Sequence, residues 1–166
     1  MSVRKLTSAG ILTALGVVCS TFYIPIGVSK VFPIQHAINV LAGVLLGPLY
    51  AVCMAFVTSF LRVMMGTGTL LAFPGSMCGA FLCGLLYQHT RKYGFAFLGE
   101  VLGTGVIGAV LAYPVAAFLL SKDAAMFAFI IPFSFSSFAG ALLSLAVLLG
   151  LKRTGLLNKV IREQII

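Results

Sequence analysis

Acidic side chains are almost missing from this sequence: 3 Asp and Glu stand against 11 Lys and Arg in 166 residues. Charged residues of both signs make up 8% of the chain, about a third of their share in a water-soluble domain. A chain so poor in charge cannot cover itself with polar surface, which excludes a soluble fold. Other absences narrow the function. No Gly-x-x-x-x-Gly-Lys-Ser/Thr segment occurs, so ATP hydrolysis by that route is excluded. No Cys-x-x-Cys occurs, and Cys19, Cys53, Cys78 and Cys83 all fall inside apolar runs, where a free cysteine acts as a small hydrophobe. His36 and His89 are far apart, so neither a metal site nor another cofactor is expected. Period-two alternation, the mark of a transmembrane barrel, is also missing. The net charge of +8 does not indicate nucleic acid, because the cations sit in short clusters between apolar runs and form no contiguous basic face.

What the chain does have is apolar length. A hydrocarbon core about 30 Å thick takes roughly 20 helical residues to cross. Cutting the apolar sequence at its charges and at Gly47-Pro48 gives helices over about 6–27, 34–47, 49–66, 73–89, 95–120 and 124–151. A basic, amphipathic tail, 152–166, follows at the membrane surface. The expected fold class is an all-α integral membrane protein, a single domain of six transmembrane helices with N- and C-termini cytoplasmic. Orientation comes from the positive-inside rule. Arg4, Lys5, Arg91, Lys92, Lys152, Arg153, Lys159 and Arg162 then lie inside, and Lys30, Arg62 and Lys122 (beside Asp123) outside. Arg4-Lys5 ahead of an apolar stretch also resembles a secretory leader, but the stretch is too long and lacks an Ala-x-Ala site, so it is kept as helix one.

Polar groups inside a bilayer are costly, so their distribution is informative. In this topology the outer ends carry Ser20, Thr21 and Tyr23 on helix one, and Gln35, His36 and Asn39 on helix two. Thr58, Ser59 and Arg62 follow on helix three, Ser76 on helix four, Tyr113 on helix five, and Ser134, Ser136 and Ser137 on helix six. The inner half holds mainly Thr13, Glu100, Thr104 and Ser144. The asymmetry predicts a polar cavity open to the outside. A lone Ser or Thr in a membrane helix commonly bonds its own backbone. Gln35 and Asn39, four apart, share a helix face, with His36 about 100° round. Gln35 and His36 either cap helix two or meet a ligand, whereas the deeper Asn39 points to ligand contact. Arg62 either snorkels to the surface or offers a donor fork and a stacking plane. Glu100 is expected to pair with Arg91 or Lys92, or to face a partner subunit.

Gly66 to Ser76 carries Gly66, Gly68, Gly75 and Pro74, which suits a mobile outer loop between helices three and four. Leu70, Leu71 and Phe73 make sense there if the loop folds back as a lid, with Ser76 as N-cap of helix four. Small residues four apart recur at Gly10/Ala14, Gly75/Gly79, Ala80/Gly84, Gly99/Gly103 and Gly140/Ser144, letting helices approach closely in lipid. On helix one, Ala9, Gly10, Thr13 and Ala14 form a smooth cytoplasmic-half surface on which another protein's helix can dock.

The stretches Phe32-Pro-Ile-Gln-His-Ala-Ile-Asn39, Leu45-Leu-Gly-Pro48 and Gly66-Thr-Gly-Thr-Leu-Leu-Ala-Phe-Pro-Gly-Ser-Met77 resemble those of the ThiW branch of S components, the substrate-binding subunits of energy-coupling-factor (ECF) vitamin transporters. The resemblance implies a non-enzymatic transport subunit in the plasma membrane of a prokaryote. It implies binding of a small vitamin precursor, hydroxyethylthiazole, from outside beneath the loop, and partnership with a membrane-embedded T subunit and two ATPases. In place of the Ala-x-x-x-Ala docking pattern of such proteins the matching region has Ala9/Thr13 and Gly10/Ala14, which depart from its letters and keep its small size. With that implication, Gln35, His36, Asn39, Arg62, Ser76 and Ser134 are candidate polar contacts and Tyr23, Phe73 and Tyr113 candidate aromatic walls. The alternatives are an S component for thiamine, its pyrimidine precursor or biotin, an integral membrane enzyme, and a small channel. An enzyme should show clustered carboxylates, and a channel a polar face running the full depth.

Overall fold

Proline and glycine punctuate the apolar runs, and helices begin and end at them. The computed structural model describes residues 3–26, 29–121 and 125–157. Helix α1 is Val3–Val18, prolonged by a 3-10 turn at Cys19–Thr21. Strand β1 (Ile24–Ile26) pairs antiparallel with β2 (Ser29–Val31), Ile24 opposite Val31. Then come α2 (Pro33–Leu45), α3 (Pro48–Met64) and α4 (Ala72–Thr90). Helix α5 runs Tyr93–Leu119 with two π-helical stretches, Gly103–Gly108 and Val115–Leu119, and α6 is Ile130–Arg153.

The differences from the expected boundaries have local causes. Helix one stops at Val18 instead of reaching residue 27, because Pro25 cannot continue a helix and the flanking Ile24 and Ile26 favour extended backbone. The chain is all-α as expected, with one small hairpin added. Pro74 and Pro132 lie in the first turns of α4 and α6, where a missing N–H leaves no bond unmade. Helix α4 therefore starts at Ala72, and Ser76 is a first-turns residue bonding the Ala72 carbonyl (2.8 Å), not an N-cap. Helix α6 starts at Ile130, after a turn at 126–129. Lys122, Asp123, the expected start of helix six at Ala124, and tail residues 158–166, Lys159 and Arg162 among them, lie outside the described residues. At the other breaks, Gly47 takes φ +90° between α2 and Pro48, and Gly66 takes φ +72° after α3, conformations that favour glycine. Gly66 turns the chain so that the amides of Thr67 and Gly68 both reach the Arg62 carbonyl, at 2.9 and 3.0 Å.

The surface is apolar and the interior polar. Phe56, Phe60, Met64, Phe118, Ile131 and Phe135 are exposed, while Gln35, Asn39, Ser59, Arg62, Glu100 and Thr104 are buried. Hydrocarbon, not water, is the solvent such a surface suits. Among the described residues, Val3–Thr21, Tyr93–Leu119 and Ile130–Arg153 are long and apolar enough to cross a membrane; α2 and α3 are apolar but shorter.

Helix α2 runs through the middle, with most of its side chains buried. Helices α4 and α5 meet along a glycine seam. A Cβ at Gly99 would sit 2.7 Å from the Cys83 Cα, one at Gly103 2.8 Å from the Gly79 Cα, and one at Gly108 2.5 Å from the Gly75 Cα. Gly99→Ala should therefore cost about 1–3 kcal/mol through forced separation of the helices. Gly94→Ala, whose new Cβ meets nothing, should leave the thermal unfolding midpoint in detergent unchanged. Equal midpoints for the two variants would contradict the seam.

Candidate functional site

The buried polar residues gather at the end of the bundle where α2 begins and α3 ends. A cavity of about 460 Å³ opens there. Its wall is made by Phe32, Gln35 and His36 at the start of α2, Arg62 on α3, and the 66–71 loop. Ala72, Gly75 and Ser76 of α4, Thr104 of α5, and Phe129, Pro132, Phe133 and Ser136 around the start of α6 complete it. The size suits a small organic molecule, and the lining mixes aromatic faces with a few hydrogen-bonding groups.

Two networks hold these groups. Glu100, fully buried, is hydrogen-bonded through Oε1 to His36 Nδ1 at 2.8 Å and accepts from Asn39 Nδ2 at 3.3 Å, while Thr104 Oγ1, 3.0 Å from this oxygen and 3.0 Å from the Gly75 carbonyl, has one hydrogen for the two. Gly79 lies against this carboxylate, where a Cβ would collide with it. The second network is a directed chain. Ser76 Oγ donates to the Ala72 carbonyl, which leaves Ser59 Oγ to donate to Ser76 (2.9 Å) and accept from Gln35 Nε2 (3.3 Å). Asn39 also donates to the Ser76 carbonyl at 3.3 Å, tying the two together.

Arg62 is 1% exposed. Its guanidinium lies 4.3 Å over the Phe32 ring and donates through Nη2 to the Thr67 carbonyl at 3.2 Å, fixing the loop above it. Its Nε and Glu100 Oε2 have no partner among the described residues. The loop is also held at its far side, where Ser20 Oγ and Thr67 Oγ1 are hydrogen-bonded at 2.9 Å. Phe32 N–H donates to Ser136 Oγ at 3.0 Å, joining the hairpin to α6. Farther along the same helices, Val40, Val44, Cys83, Tyr87, Ala96, Ala141 and Leu148 form an apolar cluster, so the polar interior stops partway through the bundle.

Of the residues singled out in the sequence, Gln35, His36, Arg62 and Ser76 come together on the wall. Asn39 lies one layer beneath, its amide committed to Ser76 and Glu100. Four others are off the wall. Tyr23 is exposed and packs 6.0 Å from the Phe32 ring. Phe73 meets Phe56 edge-on at 5.4 Å, in the first turn of α4. Ser134 bonds the Gly105 carbonyl at 3.2 Å between α5 and α6, and Tyr113 lies beyond the cavity on α5. Aromatic walls come instead from Phe32, Phe129 and Phe133. The last two, four residues apart and 6.0 Å between rings, have a spacing that already falls on one face of the expected helix 124–151. Glu100 pairs with His36, not with Arg91 or Lys92. Its depth along α5, about 10 Å from Tyr93 at 1.5 Å per residue, brings it level with Asn39.

The sequence model of one family, described as thiamine-precursor transporter protein (ThiW), matches residues 6–154. The chain belongs to the ThiW family. No curated protein and no solved structure matches it. Membership makes this a transporter protein of the membrane, in keeping with its apolar exterior. Among the described residues of this ThiW chain, no three His, Cys, Asp or Glu side chains gather as a metal site would require. On the opposite flank, Ala9, Gly10 and Thr13 of α1 line a second, apolar hollow of about 390 Å³ against Leu49, Tyr50, Cys53, Met54 and Val57 of α3, with Ala14 exposed beside it.

Because three buried side chains meet at Glu100 Oε1, Glu100→Ala in this ThiW chain should lower stability by about 3–5 kcal/mol, as breaking a buried pair does. Thermal unfolding in detergent measures it. A loss below about 0.5 kcal/mol, the range of a surface substitution, would contradict the network.

Proposed function

We propose that the chain is the substrate-binding S component of an ECF-type importer for hydroxyethylthiazole, in the plasma membrane of a prokaryote. The carrying observation is a half-depth cavity of buried hydrogen-bonding side chains beneath the Gly66–Gly68 loop, in a member of a thiamine-precursor transporter family. In this reading six helices span the membrane with both termini cytoplasmic, and the cavity faces outward. The ligand's flat ring lies among Phe32, Phe129 and Phe133, and its polar atoms meet Gln35, His36, Arg62 and Ser76. The loop held by Arg62 and Ser20 is the lid, whose closure excludes water and strengthens each polar contact.

An apolar cluster below the cavity supports a receptor over a channel, since it interrupts any polar route. Energy then comes from outside the chain, and the hollow beside Ala9, Gly10 and Thr13 is the docking place of a membrane-embedded T subunit that carries two ATPases. A ligand of about nine non-hydrogen atoms permits nanomolar affinity at the ceiling of about 1.5 kcal/mol per atom.

Calorimetry on the purified chain tests the reading. Hydroxyethylthiazole should bind without turnover, and more tightly than thiamine, its pyrimidine precursor or biotin; binding of none of them would refute it. Arg62→Ala should weaken binding by about tenfold or more through loss of charge-assisted hydrogen bonds. In cells with the full importer, Gly10→Trp should abolish uptake while calorimetric affinity stays at wild type, and undiminished uptake would reject the docking surface.

A further inference from the structure

The His36–Glu100 couple has an orientation that ligand binding alone leaves unexplained. Glu100 Oε1 receives Asn39 Nδ2 and lies within hydrogen-bond distance of Thr104 Oγ1 and His36 Nδ1, so this oxygen is an acceptor crowded by donors. A proton on Oε2 would have nothing to donate to, because that atom has no partner among the described residues. The arrangement suits a carboxylate acceptor, with the hydrogen between it and the imidazole on Nδ1. His36 also lines the cavity, and its second ring nitrogen, Nε2, has no partner among the described residues. One face of the ring is thus locked by a fully buried acid, and the other presents a single polar atom to whatever fills the cavity.

The surroundings select the group that Nε2 meets. Phe32, Phe129 and Phe133 offer flat apolar contact, and Gln35, Arg62, Ser136 and the floor beside Ser76 and Thr104 supply the polar groups around them. Thr104 Oγ1 is committed to the Glu100 carboxylate or the Gly75 carbonyl, and Ser76 Oγ to the Ala72 carbonyl. His36 Nε2 is accordingly a polar atom of the wall that no group among the described residues occupies. A hydroxyl, which both donates and accepts, is the group that satisfies it in one step.

We propose that His36 and Glu100 form a hydroxyl reader: Glu100 fixes the proton on Nδ1, and Nε2 hydrogen-bonds the alcohol arm of a heteroaromatic ligand. His36 touches the ligand and Glu100 is a positioning residue acting through it. The inference rests on the reading of this cavity as the ligand site, and its consequence is selectivity. A ring compound lacking the alcohol leaves Nε2 buried and unpaired, at a penalty the alcohol avoids.

The test compares hydroxyethylthiazole with 5-ethyl-4-methylthiazole, which differs by the hydroxyl alone, by calorimetry on the purified full chain. The wild type should prefer the alcohol by about 10- to 100-fold. In His36→Phe that preference should fall to within about twofold. Glu100→Gln should reduce the preference about tenfold, whereas loss of packing alone would weaken both ligands alike and leave the preference as in the wild type. Nitrogen-15 NMR of the imidazole in a His89→Gln background provides a second readout, with the proton on Nδ1 in the wild type. Equal affinity of the wild type for both compounds, or an undiminished preference in His36→Phe, overturns the hydroxyl reader while leaving the transporter reading intact. Failure of the wild type to bind either compound overturns both.

Discussion

A carboxylate without water around it needs donors, and in this protein the helices are arranged so that Glu100 has them. Its Oε1 draws in His36 and Asn39 from α2 and Thr104 from its own helix. Removing any ion from water into an apolar interior costs several kcal/mol, so such a group is tolerated only where geometry supplies compensating hydrogen bonds. Gly79 clears the space the side chain occupies, and the widened π-helical turn at Gly103–Gly108 begins beside Thr104. Such turns are frequent at functional sites because they re-aim side chains that a regular helix would place elsewhere. The carboxylate thus ties α2, α4 and α5 into one frame, and the cavity wall is built on that frame.

Arg62 is the counterpart on the other side of the cavity. It has a neutral solution to burial, a phenylalanine face and a backbone carbonyl in place of an acid. Because that carbonyl belongs to Thr67, the cation's satisfaction and the position of the loop are the same event. Thr67 is in turn bonded to Ser20 at the end of α1. The helix whose other half carries the apolar hollow is therefore in hydrogen-bond contact with the loop over the cavity.

Much of the fold was legible because lipid imposes simple rules. Length of apolar sequence and the positions of Pro33, Gly47-Pro48 and Gly66 mark helix limits to within a few residues. Boundaries failed where Pro25, inside the expected span 6–27, converted the end of helix one into a hairpin, and at helix six, expected from 124, which begins at Ile130 with Pro132 in its first turn. Gln35, His36, Arg62 and Ser76 were legible as wall residues because polar side chains in apolar runs are rare enough to be conspicuous. Phe73, Tyr113, Tyr23 and Ser134 were not separable from true wall residues, since an aromatic ring or a hydroxyl on a membrane helix suits lipid, a neighbouring helix or a cavity equally well.

The sequence by itself determined that the chain lives in hydrocarbon, roughly where its helices run, and that few charged groups are available for any chemistry. Those properties depend on composition and spacing along the chain, which solvent transfer energies act on directly. Only the tertiary structure decided that Glu100 faces His36 and that Asn39 lies beneath the wall. It likewise decided that the rings around the cavity are Phe32, Phe129 and Phe133. Such pairings depend on the depth and rotation of one helix against another, which are set by glycine-to-glycine approach between α4 and α5 and carry no signature in either helix alone.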